Sequence, residues 1–280
     1  MFTSYVDRIK QVYPRMVIDD IQLIEVGQNN DVLIVNESFV FRFPKYLEGM
    51  ERLRDKTLIL EHVNKQVTLP IPVPIYQSFD LFEVRKVFTG YALIPGTPLW
   101  RRDFAKITDE VQLEKIASQL VGFLTELHAI SKDQVKQIIP QQNFNLRTEF
   151  TDLYKKIQVK LFPFMRDDAR KDVSRLFENF FTQINDFKLK PTLIHGDFGA
   201  SNILWDSNKQ ELNGIIDFGG SELGNPAYDF AGILASYGEI FFNKCIALYP
   251  NEKEIAERTY FYLLRGGKTP SSRNESGIAH

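Results

Sequence analysis

The sequence predicts a bilobal α+β fold: a small β-rich amino-terminal lobe with one helix packed on an antiparallel sheet, followed by a larger, mainly helical carboxy-terminal lobe. Three observations carry this expectation. Short β-rich runs separated by turn residues crowd residues 21–44. A helical stretch at 47–66 interrupts that texture, which then resumes as far as residue 94. Beyond Trp100 the apolar period is helical, broken by β-like runs around residues 192–219.

The first element is a helix, since Phe2, Tyr5, Val6, Ile9, Val12 and Tyr13 fall at helical spacing until Pro14 stops them. The runs IQLIEVG, DVLIVN and SFVFRFP, separated by GQNN and NE, then predict an antiparallel meander. Residues 47–66 return to the helical period through Met50, Leu53, Leu58, Ile59 and Val63, and IPVP at 71–74 ends that helix. Two further strands are expected at 81–89 and 91–94, with a PGTP turn at 95–98. In the second half, Val111, Ile116, Leu120, Phe123, Leu124 and Leu127 mark a helix over 111–130. Val173, Leu176, Phe177, Phe180 and Ile184 mark another over 167–187, whose Phe-rich stripe, including Phe181 and Phe187, reads as packing. Three β-like runs, TLIHGDF, NILWD and ELNGIIDFGG, precede helices that resume at about Ala227. The expected domains are therefore residues 1–94, residues 95–265 and a flexible polar tail at 266–280.

With 280 residues, 44% of them hydrophobic, the chain can bury a substantial core. Lys plus Arg (34) nearly balances Asp plus Glu (36), so no overall field draws the molecule to nucleic acid or to an anionic membrane. The single cysteine, Cys245, lies in the apolar stretch Ile240 to Leu248, which predicts a buried, unreactive thiol, no intrachain disulfide and a reducing compartment. The amino terminus carries Asp7, Arg8 and Lys10 and lacks the apolar run of a secretory signal, and no window approaches the roughly 18 apolar residues of a membrane span. A soluble cytoplasmic monomer is expected.

The chemistry concentrates in one region. His195-Gly-Asp197-Phe-Gly-Ala-Ser-Asn202 has the form H-x-D-x-x-x-x-N, and Asp217-Phe218-Gly219 follows fifteen residues beyond the asparagine. Each piece alone is a common loop or turn. In this order, each beside a β-like run and downstream of a small β-rich lobe, they reproduce the base and metal geometry of a protein-kinase-like catalytic centre. Phosphoryl transfer needs a carboxylate to orient the attacking hydroxyl and accept its proton, which suits Asp197 on the loop after the LIHG strand. It also needs hard oxygen donors for Mg2+ on the triphosphate, which Asn202 and Asp217 supply. His195 reads as a scaffold histidine bonding the loop, and His62, His128 and His280 share no metal-ligand spacing with it.

IHGDFGASNILWD, GIIDFGG and GNPAYDFAG together resemble the aminoglycoside phosphotransferase family of antibiotic kinases, and the likeness runs from about residue 18 to 264. The resemblance implies a protein-kinase-like fold, with ATP or GTP as phosphoryl donor and a small-molecule hydroxyl as acceptor. It places Gly27, Gln28, Asn29 and Asn30 in the turn over the phosphates, and Arg42 of FVFRFPK as the phosphate-pairing cation. It sets Tyr91 beside the nucleotide base, with Ala92 to Ile94 as the linker between lobes, and makes Asp229 of PAYDF a brace for the catalytic loop. The likeness to 2″-phosphotransferases, with the bulk of Tyr91, leaves GTP level with ATP. For a polycationic aminoglycoside, Glu222, Glu239 and Asp152 are candidate acceptor contacts.

Three departures stand out. GQNN has one glycine where protein kinases have a glycine-rich loop. Arg42 replaces the usual lysine, with Lys45 three residues on. Lys56 occupies the helix position where a glutamate would pair with that cation, leaving Glu51, Asp55 or Glu61 to compensate. Aminoglycoside phosphorylation is the leading expectation. A same-fold kinase for a macrolide or small metabolite is the second, favoured by the apolar ILASYGEIFFNK segment, and a nucleotide-binding pseudokinase, motivated by Arg42 and Lys56, is the third.

Overall fold

Strict alternation of side chains decides the amino-terminal architecture. The computed structural model describes residues 2–24, 29–140, 144–183 and 190–266. Helix α1 (Phe2–Val12) precedes β1 (Ile21–Ile24), β2 (Asn30–Val35) and β3 (Phe39–Pro44); α2 (Leu47–Val63), β4 (Pro74–Ser78) and β5 (Phe88–Ala92) follow. The five strands form one sheet in the order β1-β2-β3-β5-β4, antiparallel throughout. Successive residues of a strand face opposite ways, so the sheet has two chemically distinct faces. Leu33, Val35, Phe41, Phe43 and Phe88 pack with Tyr5 and Ile9 of α1 on one face. Val32, Val40 and Tyr91 gather with Ile24 on the other, the face that also carries Arg42 and Thr89.

The meander and α2 form as expected, but the later strands differ from the expected 81–89 and 91–94. Pro74 opens β4, an edge strand whose first residue loses no ladder hydrogen bond, so IPVP starts a strand as well as ending a helix. Residues 79–87 form turns, with Arg85 at φ 68°. Gly90 does not break β5: it lets the Phe41 ring lie against the strand, where a Cβ would stand 2.7 Å from that ring.

The remaining elements are β6 (Thr97–Pro98), α3 (Arg101–Phe104), α4 (Glu110–His128), α5 (Lys132–Ile138), α6 (Leu146–Lys160), α7 (Asp167–Gln183), β7 (Thr192–Ile194), β8 (Ile203–Asp206), β9 (Glu211–Ile215), β10 (Glu222–Gly224), α8 (Ala227–Tyr237), α9 (Glu239–Ala247) and α10 (Glu252–Gly266). The three β-like runs become β7, β8 and β9, with β8 between β6 and β9 and β7 paired to β10. In α4, Ile116, Leu120, Phe123, Leu124 and Leu127 are buried as expected, while Val111 lies on the solvent side, 72% exposed. Phe177 and Phe180 of α7 are core residues; Ile184, Phe187 and the polar tail from 267 fall outside the described residues. Cys245 is buried, and that burial pushes its thiol up to about 12. Among the described residues no helix is long and apolar enough to cross a membrane.

Candidate active site

The two motif loops are anchored by their phenylalanines. Phe198, next to Asp197, stacks on Phe123 of α4 with ring centroids 5.8 Å apart, and Phe218, next to Asp217, meets the same ring at 6.4 Å. Both phenylalanines are buried, so each carboxylate is carried at the rim of the core by an aromatic neighbour sunk into it. His195, wholly buried, lies between the two anchors, 5.6 Å from the Phe198 ring and 4.7 Å from that of Phe218. Its Nδ1 accepts from the Asp197 backbone N–H at 3.3 Å, which leaves Nε2–H to donate to the Ile216 carbonyl at 3.0 Å. Burial holds its pKa below the ordinary histidine value despite the opposing pull of Asp229, Asp217 and Asp197. His195 is therefore a neutral tie between the two loops, the scaffold role expected of it.

Asn202 ties Asp197 to the same frame. Its Nδ2 donates to the Asp197 main-chain carbonyl at 2.7 Å and to Oδ2 of the Asp197 carboxylate at 3.1 Å. The Ile216 N–H donates to the Asn202 carbonyl at 2.9 Å, which sets the start of the Asp217 turn beside the asparagine. Asp217 itself adopts the left-handed conformation, φ 62° and ψ 63°, a costly choice for a residue with a Cβ. The loops also touch through glycines: Gly196, at φ 78°, lies so close to Gly220 that an added Cβ would stand 2.1 Å from the Gly220 carbonyl oxygen.

Asp229 of α8 braces the Asp197 loop, where the resemblance put it. It is wholly buried and accepts from the His195 N–H at 2.8 Å and the Gly196 N–H at 2.9 Å, while Oδ2 contacts His128 Nε2 at 3.0 Å. Two further α8 supports escaped sequence reading. Ser236 Oγ accepts from the Ala200 N–H at 3.0 Å, and Gly232 lets α8 approach so closely that a Cβ there would stand 2.0 Å from the Phe198 carbonyl oxygen. A glycine inside an otherwise helical run, which costs about 1 kcal/mol relative to alanine, was the available signal for the second.

Across from these loops, a cavity of about 570 Å³ opens between β3, β5, α2 and the Asp217 turn, lined by Asn29, Asn30, Arg42, Lys56, Tyr91 and Asp217 among others. Sheet register explains how its polar wall forms, since Arg42 stands opposite Thr89, and Val40 opposite Tyr91, on the face turned away from α1. Arg42 Nε donates to the Tyr91 hydroxyl at 2.9 Å, and Nη1 donates to Asp217 Oδ1 at 3.0 Å. That guanidinium holds the Asp217 carboxyl below the usual carboxylate range, against the effect of burial. Arg42 thus takes its acid from the Asp217 turn, and not from Glu51, Asp55 or Glu61 of α2.

Other expected residues are dispersed. Gln28 lies outside the described residues. Ala92, which follows Tyr91 in β5, and Ile94 line a second cavity, of about 250 Å³, with Pro70, Ile71 and Asn213. Glu222 opens β10 opposite Ile194; desolvation raises its carboxyl pKa, and Lys56 counters that. Glu239 opens α9 and accepts from the Tyr260 hydroxyl at 3.2 Å, and Asp152 is exposed on α6.

Chemically, the arrangement offers a carboxylate, Asp197, oriented by the Asn202 amide, and on the neighbouring turn a second carboxylate, Asp217, that lines a basic cavity. Such oxygen donors suit a hard divalent cation. Among the described residues no group of three or more His, Cys, Asp or Glu side chains is placed to hold a metal ion.

A model of the phosphotransferase enzyme family matches residues 20–260. The chain belongs to that family. It is 31% identical over 158 residues to the viomycin phosphotransferase of Streptomyces vinaceus, which covers 55% of this chain and 52% of that protein, so it spans about half the length of this curated relative. Among solved structures, this phosphotransferase-family chain is similar to the GDP and kanamycin complex of APH(2″)-IIIa, with a TM-score of 0.80, 25% identity, and 93% and 88% of the two chains covered. A macrolide 2′-phosphotransferase type I shares the fold at a TM-score of 0.69 and 17% identity, over 94% of this chain and 89% of that one.

Proposed function

We propose that this chain transfers the γ-phosphoryl group of ATP or GTP to a hydroxyl of a small molecule, with an aminoglycoside as the leading acceptor class. The observation that carries the reading is the fastening of Asp197 by Asn202 and of the Asp217 turn by Asn202 and His195, with Asp217 itself lining one basic cavity. Residues 1–94 would serve as the nucleotide lobe and 95–265 as the lobe presenting the acceptor. Family membership supports this, as do relatives whose names specify viomycin phosphorylation and a complex with GDP and kanamycin.

In this mechanism the acceptor hydroxyl hydrogen-bonds to the Asp197 carboxylate, which takes its proton as the oxygen attacks the γ-phosphorus. The bond from that phosphorus to the bridging oxygen breaks, and the nucleoside diphosphate leaves carrying the electron pair. Asn202, through its side-chain carbonyl, and Asp217, through its carboxylate, would hold Mg2+, which neutralises charge on the triphosphate oxygens. Arg42 would pair with phosphate as well as with Asp217, and Asn29, Asn30 and Tyr91 would line the nucleotide's approach.

The dispersal of the acidic candidates favours a second reading, a less cationic acceptor. Glu239 is engaged by Tyr260, and Glu222 is partly desolvated within the field of Lys56, so neither is reserved for a polycation. A coupled diphosphate-release assay comparing ATP with GTP, each with kanamycin, viomycin, a macrolide or no acceptor, separates these cases. Turnover with kanamycin supports the leading reading, and turnover with a neutral acceptor alone replaces it with the second. No transfer to any hydroxyl, with nucleotide still bound, would leave a pseudokinase.

A further inference from the structure

We propose that Lys56 is a phosphate-binding residue, supplying the free positive charge that the terminal phosphates of a bound triphosphate require; the inference rests on the phosphotransferase reading above. Lys56 projects from α2 into the same cavity as Arg42 and Arg52. Those two arginines already have acids: Arg42 pairs with Asp217 at 3.0 Å, and Arg52 stands 3.9 Å from Glu48. Lys56 has none. Among the described residues its ammonium makes no ion pair and donates to the Ser221 main-chain carbonyl, just beyond the Asp217 turn.

An ammonium drawn out of water without a counter-ion is costly, and an incoming anion removes that cost. Its pKa is pushed down to about 8, chiefly by burial, with Glu222 and Asp55 partly offsetting the effect and Arg52 adding to it. The groups facing it are therefore Glu222 on β10 and Asp55 and Arg52 on α2 itself, with Arg42 and Asp217 on the opposite cavity wall. A glutamate at this position would repel phosphate, whereas lysine, a compact charge on a flexible stem, attracts it.

The test is calorimetric binding of the nucleoside, its diphosphate and its triphosphate, in the adenosine and guanosine series and without acceptor. Wild type is compared with Lys56→Gln and Lys56→Arg. Lys56→Gln is expected to weaken the triphosphate about tenfold, as loss of one charge-assisted contact implies, and the nucleoside by less than about twofold. Lys56→Arg is expected to keep the triphosphate preference. An unchanged triphosphate affinity in Lys56→Gln overturns the proposal, as does an equal loss for nucleoside and triphosphate, because a tether from α2 to Ser221 would have that effect. Should Lys56→Gln fail to fold, a pH series on wild type and Lys56→Arg decides. The triphosphate preference must fall between about pH 7 and 9 in wild type and stay level in the arginine variant, and a level wild-type profile overturns the proposal. Wild type that binds no triphosphate overturns the phosphotransferase reading as well, whereas wild-type binding matched by Lys56→Gln overturns this inference alone.

Discussion

Asp217 shows how much a single residue of this site has to reconcile: a left-handed backbone, a carboxylate in a half-buried place, and an arginine reaching it from the opposite lobe. Because Arg42 depresses the Asp217 pKa, the stabilisation from their pairing is complete above the unfolded carboxyl value of about 4 and is lost as pH falls through the lower folded value. In Arg42→Met the melting temperature near neutral pH should therefore drop, and its decline on acidification should become shallower, as thermal melts across the acid range would read. Gly196→Ala faces both a positive φ and the Gly220 carbonyl, so it should destabilise the fold by about 2 kcal/mol or more and cut turnover, measured by denaturant unfolding and kcat. Asp197, Asn202 and Asp217 stood out in the sequence by type and spacing, and the structure gathers them through the bonds of Asn202 to Asp197 and to the Ile216 N–H. The Arg42–Asp217 pair was not legible, because it joins residues 175 positions apart, and only the folded register of β3 brings them together.

Among the elements, α8 is the support of the Asp197 loop. Asp229→Ala would leave the buried His195 and Gly196 N–H groups without their acceptor, a loss of roughly 3 kcal/mol, and should lower kcat more than it raises the nucleotide KM. Gly232→Ala should act the same way by driving α8 off the Phe198 carbonyl, and its effect should not add to that of Asp229→Ala, since both act through one loop. Thermal unfolding and steady-state kinetics of the two single variants and the double variant check this. Helices α1, α2 and α4 were readable from their 3.6-residue period, because burying one stripe is what holds them. Strands β4 and β5 differ from the expected 81–89 and 91–94: IPVP was read only as a helix end, whereas Pro74 opens an edge strand, and β5 runs through Gly90, where a close ring contact needs the missing Cβ.

For the whole molecule, the sheet face opposite α1 and the loops between β7 and β10 meet around one cavity, and phosphoryl transfer is the chemistry that this meeting supports. The bilobal pattern was visible in the sequence as a shift from period two to period 3.6, but the partition of acidic side chains was not. Glu239 is held by the Tyr260 hydroxyl, and Glu222 sits in a desolvated place within the field of Lys56, which no local pattern encodes. The most direct test follows a γ-labelled triphosphate in single-turnover transfer to the best acceptor, for wild type and for Asp197→Ala, Asn202→Ala and Asp217→Ala. Asp197→Ala is expected to bind nucleotide still while transfer falls by about a hundredfold or more, and the other two to lose transfer together with divalent-cation dependence. Near-wild-type transfer in Asp197→Ala would contradict this reading of the site.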